Sequence, residues 1–249
     1  MFPIIALWAV PRSTSTAFEW MMRERGDITC FHEPYGEAWY QGEAPLWPRA
    51  TLSSKRTPGL TLDSVTETLK AAAEDRTIFT KDFPHYIDHM WDDALLSIFT
   101  HSFLIRDPAK TITSIYDKWP DFHEKEVGFP EQRALFDRLA DQTGTPPPVI
   151  DSDDLLENPA GIVAAWCQAV GIPYLPDALT WKPGPRDEVS WWDGGAFHAN
   201  LRASDGLKPQ RREYIDLADA PPRVRDVHDR MRRHYHHQYT HRLKADADA

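Results

Sequence analysis

Arg12 heads a run of hydroxyl residues, Ser13, Thr14, Ser15 and Thr16, directly after Pro11. A guanidinium is a fork of N–H donors matched to oxyanions, and the hydroxyls donate to the same groups. If a helix begins here, its unpaired N–H groups and positive dipole end suit a phosphate or sulfate. The plainer reading is that these Ser and Thr residues are helix caps. The run lacks the Gly-x-x-x-x-Gly-Lys-Ser/Thr pattern of nucleoside triphosphatases, which counts against a kinase-type loop. Lys81-Asp82 closes another short apolar run. Arg106 follows Phe103-Leu104-Ile105, with Ser114 eight residues on, about two helical turns into the next helix. Here too a plainer reading exists: Arg106 pairs with Asp107 or another carboxylate, and Ser114 is a helix-face residue.

These residues need a frame. Residues 4–9 are apolar without alternation, as in a strand buried on both faces of a parallel sheet. Pro11 breaks the run, and residues 16–25 read as a helix with Phe18, Met21 and Met22 on one side. Strands are expected at residues 28–31, 77–80, 102–105 and 149–150, and helices at 62–73, 88–98, 109–118, 130 or 131–142, 155–170 and 224–243. Residues 36–58, rich in Pro, Trp, Gly and Ser, read as a partly ordered surface segment, and 173–222 as loops over the site. Alternating strands and helices give an α/β fold, a three-layer domain with a mostly parallel sheet and helices on both faces. Residues 1–243 are expected to form one domain, and 244–249 a disordered tail. Ligands gather at the carboxyl ends of such strands, which puts residues 11–16, Lys81-Asp82 and Arg106-Asp107 on one rim.

The chain's net charge is −10, which argues against a nucleic-acid-binding surface and makes any anion site a local construction. No apolar run reaches the roughly 18 residues that cross a bilayer. The apolar start has no basic n-region and reads as a strand, so a cytoplasmic location is expected. The two cysteines, Cys30 and Cys167, are expected to be reduced core residues. No compelling metal-ligand set is present.

Taken together, Pro11 to Thr16 and the Arg106/Ser114 pair resemble the sulfotransferases that use 3′-phosphoadenosine-5′-phosphosulfate. Those enzymes carry Pro-[Lys/Arg]-Ser-x-[Ser/Thr]-[Ser/Thr] after a strand, and a strand ending in Arg with Ser eight residues later. The run Asp153-Asp154-Leu155-Leu156-Glu157-Asn158-Pro159, then Trp166 and Gly171-Ile172-Pro173, is similar to later landmarks of the family. The resemblance spans roughly residues 3 to 175. It implies a P-loop-like sulfotransferase architecture and that nucleotide as co-substrate, without a metal. It also implies that residues 12–16 hold the 5′-phosphosulfate, Arg106 and Ser114 the 3′-phosphate, and that Lys81 contacts the transferring group.

Two positions depart from the family pattern. Thr14 stands where many relatives have Gly, and is expected to serve only with a negative φ or in a loop of different shape. In Thr80-Lys81-Asp82-Phe83-Pro84-His85, Phe83 occupies the place of the usual catalytic histidine. A base for the acceptor proton is therefore sought elsewhere. His32-Glu33, after the second strand, is the first choice: Glu33 resembles the catalytic Glu of bacterial carbohydrate sulfotransferases, and His32 is either the base itself or its orienter. A solvated turn before Pro34 is the plainer reading, and Asp82 and His85 are second-line candidates. The expected activity is sulfuryl transfer to a hydroxyl or amine of a small-molecule or carbohydrate acceptor. The alternatives are a P-loop-like kinase and a non-catalytic nucleotide-binding relative.

In the late region, Trp191, Trp192, Asp193, Phe197, His198 and Asn200 read either as an acceptor-pocket wall or as a satellite apolar cluster. The resemblance also implies a late basic loop that completes the 3′-phosphate clamp, for which Arg186, Arg202 and Lys208 are the candidates. His237 and His241 lie four apart among arginines, and a solvated or partner-facing helix is preferred there over a metal site.

Overall fold

All six residues of Ile4–Ala9 (β1) are wholly buried, so both faces of this strand are covered. β1 is the centre of a five-stranded sheet with β2 (Thr29–His32), β3 (Ile78–Asp82), β4 (Phe99–Ile105) and β5 (Val149–Asp151), in the order β2-β3-β1-β4-β5 and parallel throughout. The computed structural model describes residues 1–47, 56–189, 191–192, 194–195, 198–209 and 215–245. The chain leaves β1 toward β2 but leaves β4 toward β5, in opposite directions along the sheet. The loops that follow these adjacent strands diverge and open a crevice between them.

α1 (Ser15–Glu24) follows β1 and buries Phe18, Met21 and Met22 as expected. α2 (Pro34–Gln41) begins immediately after β2 and runs into the stretch 36–58 read from composition as a surface segment. Pro34 is tolerated at its first position. Tyr35, Trp39 and Tyr40 are each at most 2% exposed, and this burial outweighs the segment's Pro- and Gly-rich composition. Gly36 has a packing reason: a Cβ there would lie 2.6 Å from a Tyr86 ring carbon. The rest of that segment is described only in part, since residues 48–55 lie outside the described residues.

α3 (Leu62–Ala72) is closed by a capping box between Thr61 and Ser64. The helix expected at residues 88–98 shrinks to one turn, α4 (Asp93–Leu96), capped by Asp92. β4 begins at Phe99 rather than 102, because Phe99 to Leu104 pair along β1. The half-buried polar residues Thr100 and His101 had hidden that start. α5 (Pro108–Lys118) and α6 (Phe129–Thr143) follow.

The single helix expected at 155–170 is two, α7 (Ser152–Glu157) and α8 (Pro159–Val170). Asn158 ends the first and caps the second by accepting from Gly161 N at 3.0 Å. Among the late loops lies a short helix, α9 (Ala199–Arg202). α10 (Pro222–Tyr239) buries Val224, Val227, Met231 and Tyr235 against α5 and α6, while Arg230, Arg232, Arg233 and His236 are exposed, so the helix is solvated on one face and packed on the other. His237 Nε2 lies 2.7 Å from Asp137 Oδ1 on α6.

Of the expected tail, Lys244 and Ala245 are described, and residues 246–249 lie outside the described residues. Cys167 is buried, Cys30 half-buried, and both are free thiols. Burial pushes their pKa values up to about 11 and about 12. No described helix is long and apolar enough to cross a membrane.

Candidate functional site

The turn between β1 and α1 is strained. Arg12 has φ 61° and Thr14 φ 74°, both in the left-handed region that non-glycine residues avoid. Of the two alternatives expected at Thr14, a negative φ or a loop of different shape, the first does not hold: threonine takes a left-handed backbone conformation that glycine adopts without penalty. A third residue shares this region, Glu33, with φ 43°. These are the three positive-φ non-glycine residues among the described residues, and all three line one cleft. Such conformations cost about 1–3 kcal/mol each and persist where the surroundings impose them, typically at functional sites.

The cleft holds about 1050 Å³ of open space, part of it continuous with solvent. Arg12, Ser13, Thr14, Ser15, Thr16, Glu33 and Arg106 line it, and Tyr40, Phe83, Tyr86, Trp119 and Trp192 supply aromatic walls. The crevice between β1 and β4 is bridged here. Arg106 Nη1 donates to the Arg12 carbonyl at 2.5 Å, and Arg12 Nε donates to Ser114 Oγ at 3.0 Å. Arg106 and Ser114 thus both grip the loop through Arg12; Arg106 also lines the cleft, and Ser114 does not. Ser13 Oγ is buried and has no hydrogen-bond partner in the described structure, although Ser13 lines the cleft. No side chain caps α1. A buried hydroxyl left over beside an uncapped helix N-terminus fits an anionic ligand group.

Glu33 is positioned by β2 and β3. Register sets His32 beside Lys81, and Glu33 N donates to the Lys81 carbonyl at 2.9 Å. The Glu33 carboxylate forms an ion pair with the ammonium of Lys81, whose side chain is fully buried. Lys81 Nζ also reaches Thr16 Oγ1 at 3.4 Å. Lys81 therefore meets the cleft through Glu33 and Thr16, from behind the wall.

His32 is brought close but turned away. Its Nδ1 lies 2.6 Å from Glu19 Oε2, its side chain is 2% exposed, and it does not line the cleft. Burial pushes the Glu19 carboxyl up, but His32, Arg23 and Lys81 outweigh it and hold it at about 2. Glu19 is therefore an anion at neutral pH, and His32 donates to it. Glu19 was not singled out from the sequence, because a carboxylate within an apolar helix segment reads as an exposed position; the four-residue spacing to Arg23 was the available signal.

The second-line candidates lie elsewhere. Asp82 is fully buried and accepts from Tyr35 N at 3.4 Å and Gly36 N at 3.2 Å, so it tethers the start of α2. Burial, then the Glu33 charge, pushes its pKa well up, against the pull of Lys81 and those two N–H donors. His85 packs among Trp39, Phe83 and Tyr86. Neither lines the cleft.

The three late basic candidates do not line it either. Arg186 is paired with Glu24 and Glu188, Lys208 with Asp205, and Arg202 lies over the Trp191 ring. The described basic residue that sequence reasoning missed is Lys118, one turn past Ser114 on α5. Of the late aromatic segment, Trp192 lines the cleft and stacks on Tyr40, whereas Trp191 packs against His32 and His198. His198 and Asn200 also line the cleft. Burial, then the nearby Lys81, His32 and Arg12, lowers the His198 pKa to about 2, so its ring is neutral. Asp193 and Phe197 lie outside the described residues. Glu126 also lines the cleft and accepts from the Tyr40 hydroxyl at 2.9 Å; it carried no sequence signal, and Tyr40 and Tyr86 carried none beyond the local density of aromatic residues.

A parallel α/β sheet with an anion-suited loop at its reversal point defines a class of folds that bind anionic ligands at the strand ends, and the family follows from comparison. Residues 3–213 match the sulfotransferase domain family, and the chain belongs to it. Among solved structures, the fold is similar to the sulfotransferase domain from the curacin biosynthetic pathway, with TM-score 0.51 over 93% of this chain and 98% of that one, at 12% identity. Two Arabidopsis thaliana proteins are also similar. Branched-chain-amino-acid aminotransferase-like protein 2 is 28% identical over 211 residues, covering 84% of this chain and 37% of that protein. Branched-chain-amino-acid aminotransferase-like protein 1 is 25% identical over 240 residues, covering 94% and 42%. The chain thus spans less than half the length of either.

Proposed function

We propose that the chain moves a sulfuryl group from 3′-phosphoadenosine-5′-phosphosulfate to a hydroxyl or amine of a small acceptor, with Glu33 as base. The observation that carries this reading is the concentration of backbone strain at Arg12, Thr14 and Glu33, which face one cleft from two different strand ends. Residues 12–16 bind the phosphosulfate by N–H groups, hydroxyls and the Arg12 guanidinium, and Arg106 meets the 3′-phosphate. The acceptor oxygen or nitrogen attacks sulfur, and its proton passes to Glu33. The sulfur–oxygen bond to the phosphate breaks, and its electron pair leaves with the nucleotide. Arg12 offsets the charge that grows on that phosphate, while Lys81 orients Glu33. Neutral His198 adds no competing charge at the site.

Glu33 is preferred to His32 because it lines the cleft and His32 is committed to Glu19. The kinase alternative has no support from the family match. Glu33→Gln keeps the shape of the side chain and removes the base. Transfer of radiolabelled sulfate from the nucleotide to a panel of small alcohols, phenols and amines is expected to fall at least about 100-fold in this variant. Its affinity for adenosine 3′,5′-bisphosphate should stay within about twofold of the wild type. Undiminished transfer would remove Glu33 from the role.

A further inference from the structure

Thr14 has the largest positive φ of any non-glycine residue described, and its branched Cβ makes that conformation costlier than for most side chains. Its hydroxyl does not cap its own helix. Instead Thr14 Oγ1 lies 2.7 Å from Ser152 Oγ, 138 residues further along the chain.

Ser152 is a firm anchor. It is wholly buried at the first position of α7, directly after β5. Its neighbour Asp151 caps α7 by accepting from Asp153 N at 2.9 Å and Asp154 N at 3.2 Å, and also accepts from the Tyr235 hydroxyl of α10 at 3.0 Å. Its other neighbour, Asp153, pairs with Lys110 of α5 at 2.6 Å. Contacts to α7, α10 and α5 thus hold the residues on either side of Ser152, while Arg106 holds the Arg12 carbonyl two residues before Thr14.

We infer that Ser152 is a positioning residue for the anion-binding loop: its hydroxyl holds Thr14 in the left-handed turn and keeps the loop in its binding shape before the nucleotide arrives. A loop already in that shape loses less conformational freedom on binding, so affinity rises without a new contact to the ligand. Glycine at position 14 would adopt the turn unaided, which makes the effect of Ser152 conditional on threonine there. The inference rests on the reading that this loop binds the phosphosulfate nucleotide.

The test is a double-mutant cycle read by calorimetric titration with adenosine 3′,5′-bisphosphate, alongside KM for the donor and kcat. Ser152→Ala is expected to weaken binding at least about fivefold and to raise KM more than it lowers kcat. Thr14→Gly/Ser152→Ala should bind within about twofold of Thr14→Gly alone. Thr14→Val, which keeps the branched shape and removes the hydroxyl, should reproduce the Ser152→Ala loss, and so serves if Ser152→Ala does not fold. Equal losses from Ser152→Ala in the wild-type and Thr14→Gly backgrounds would mean that Ser152 acts by packing, and would overturn the inference. So would unchanged binding in Thr14→Val. A wild-type protein that does not bind the nucleotide would overturn the donor reading as well, whereas binding indifferent to either hydroxyl overturns this inference alone.

Discussion

Lys81 and Glu33 are buried charges that stand or fall together. Removing one partner of such a pair leaves the other ionised and without compensation, at a cost of about 3–5 kcal/mol, whereas removing both is close to neutral. Lys81→Met should therefore lower the free energy of urea unfolding by several kcal/mol, and Lys81→Met/Glu33→Gln should recover most of it. Neither variant should regain sulfate transfer. A double variant no more stable than Lys81→Met would show that the two groups are not coupled. Both residues were legible in the sequence because they lie at the carboxyl ends of strands, Lys81 in the last residues of β3 and Glu33 just after β2, where α/β sheets collect chemistry. What the sequence withheld was their pairing, and the commitment of His32 to Glu19, since both depend on contacts across distant segments. It marked Thr14 as standing where many relatives have glycine, but not how threonine holds that turn, because the Ser152 hydroxyl it meets lies far along the chain.

The strands do more than carry site residues to the rim. His101 of β4 accepts at Nδ1 from Trp8 Nε1 of β1 at 2.8 Å, and its Nε2 lies 2.9 Å from the Leu96 carbonyl. An indole N–H can only donate and a carbonyl only accept, so the ring is neutral with its proton on Nε2. Burial lowers its pKa to about 4, against the opposing pull of the Leu96 hydrogen bond. The unfolded chain takes up this proton near pH 6.5, the folded chain only near 4. Over that interval the unfolded state binds more protons. The contribution to stability is thus complete above pH 6.5 and is lost as the pH falls toward 4. His85, lowered to about 3 by burial, acts in the same direction. Asp82, raised by burial, acts in the opposite direction. Unfolding free energies of the wild type and His101→Gln, measured from pH 7 to 4.5, should converge on acidification, by up to about 1.4 kcal/mol per pH unit below 6.5. Parallel curves would contradict the pinned neutral ring. His101 also shows why β4 was read too short: a polar residue inside a strand is recognisable only once its partner Trp8 is known. The same holds for α2, where Pro34, Gly36 and Trp39 resemble loop composition until Tyr86 and Asp82 are seen packed against them.

The molecule as a whole is acidic, with a net charge of −10, yet it gathers Arg12 and Arg106 at the point where chain direction reverses along the sheet. The parallel architecture was legible because β1 and β3 are short apolar runs followed by charged or turn residues, and because β5 precedes a clear helix. The sheet order and the late loops were not, since neither leaves a periodic trace. The family match covers residues 3–213, and binding of a 3′-phosphorylated donor at the crevice is the claim on which the rest depends. Its most direct measurement is metal-free calorimetry of adenosine 3′,5′-bisphosphate and adenosine 5′-monophosphate with the wild type and Arg106→Ala. The wild type should prefer the bisphosphate by at least about tenfold, as expected for a charge-assisted contact to the added phosphate, and Arg106→Ala should lose that preference. Equal affinity of the wild type for the two nucleotides would contradict the account.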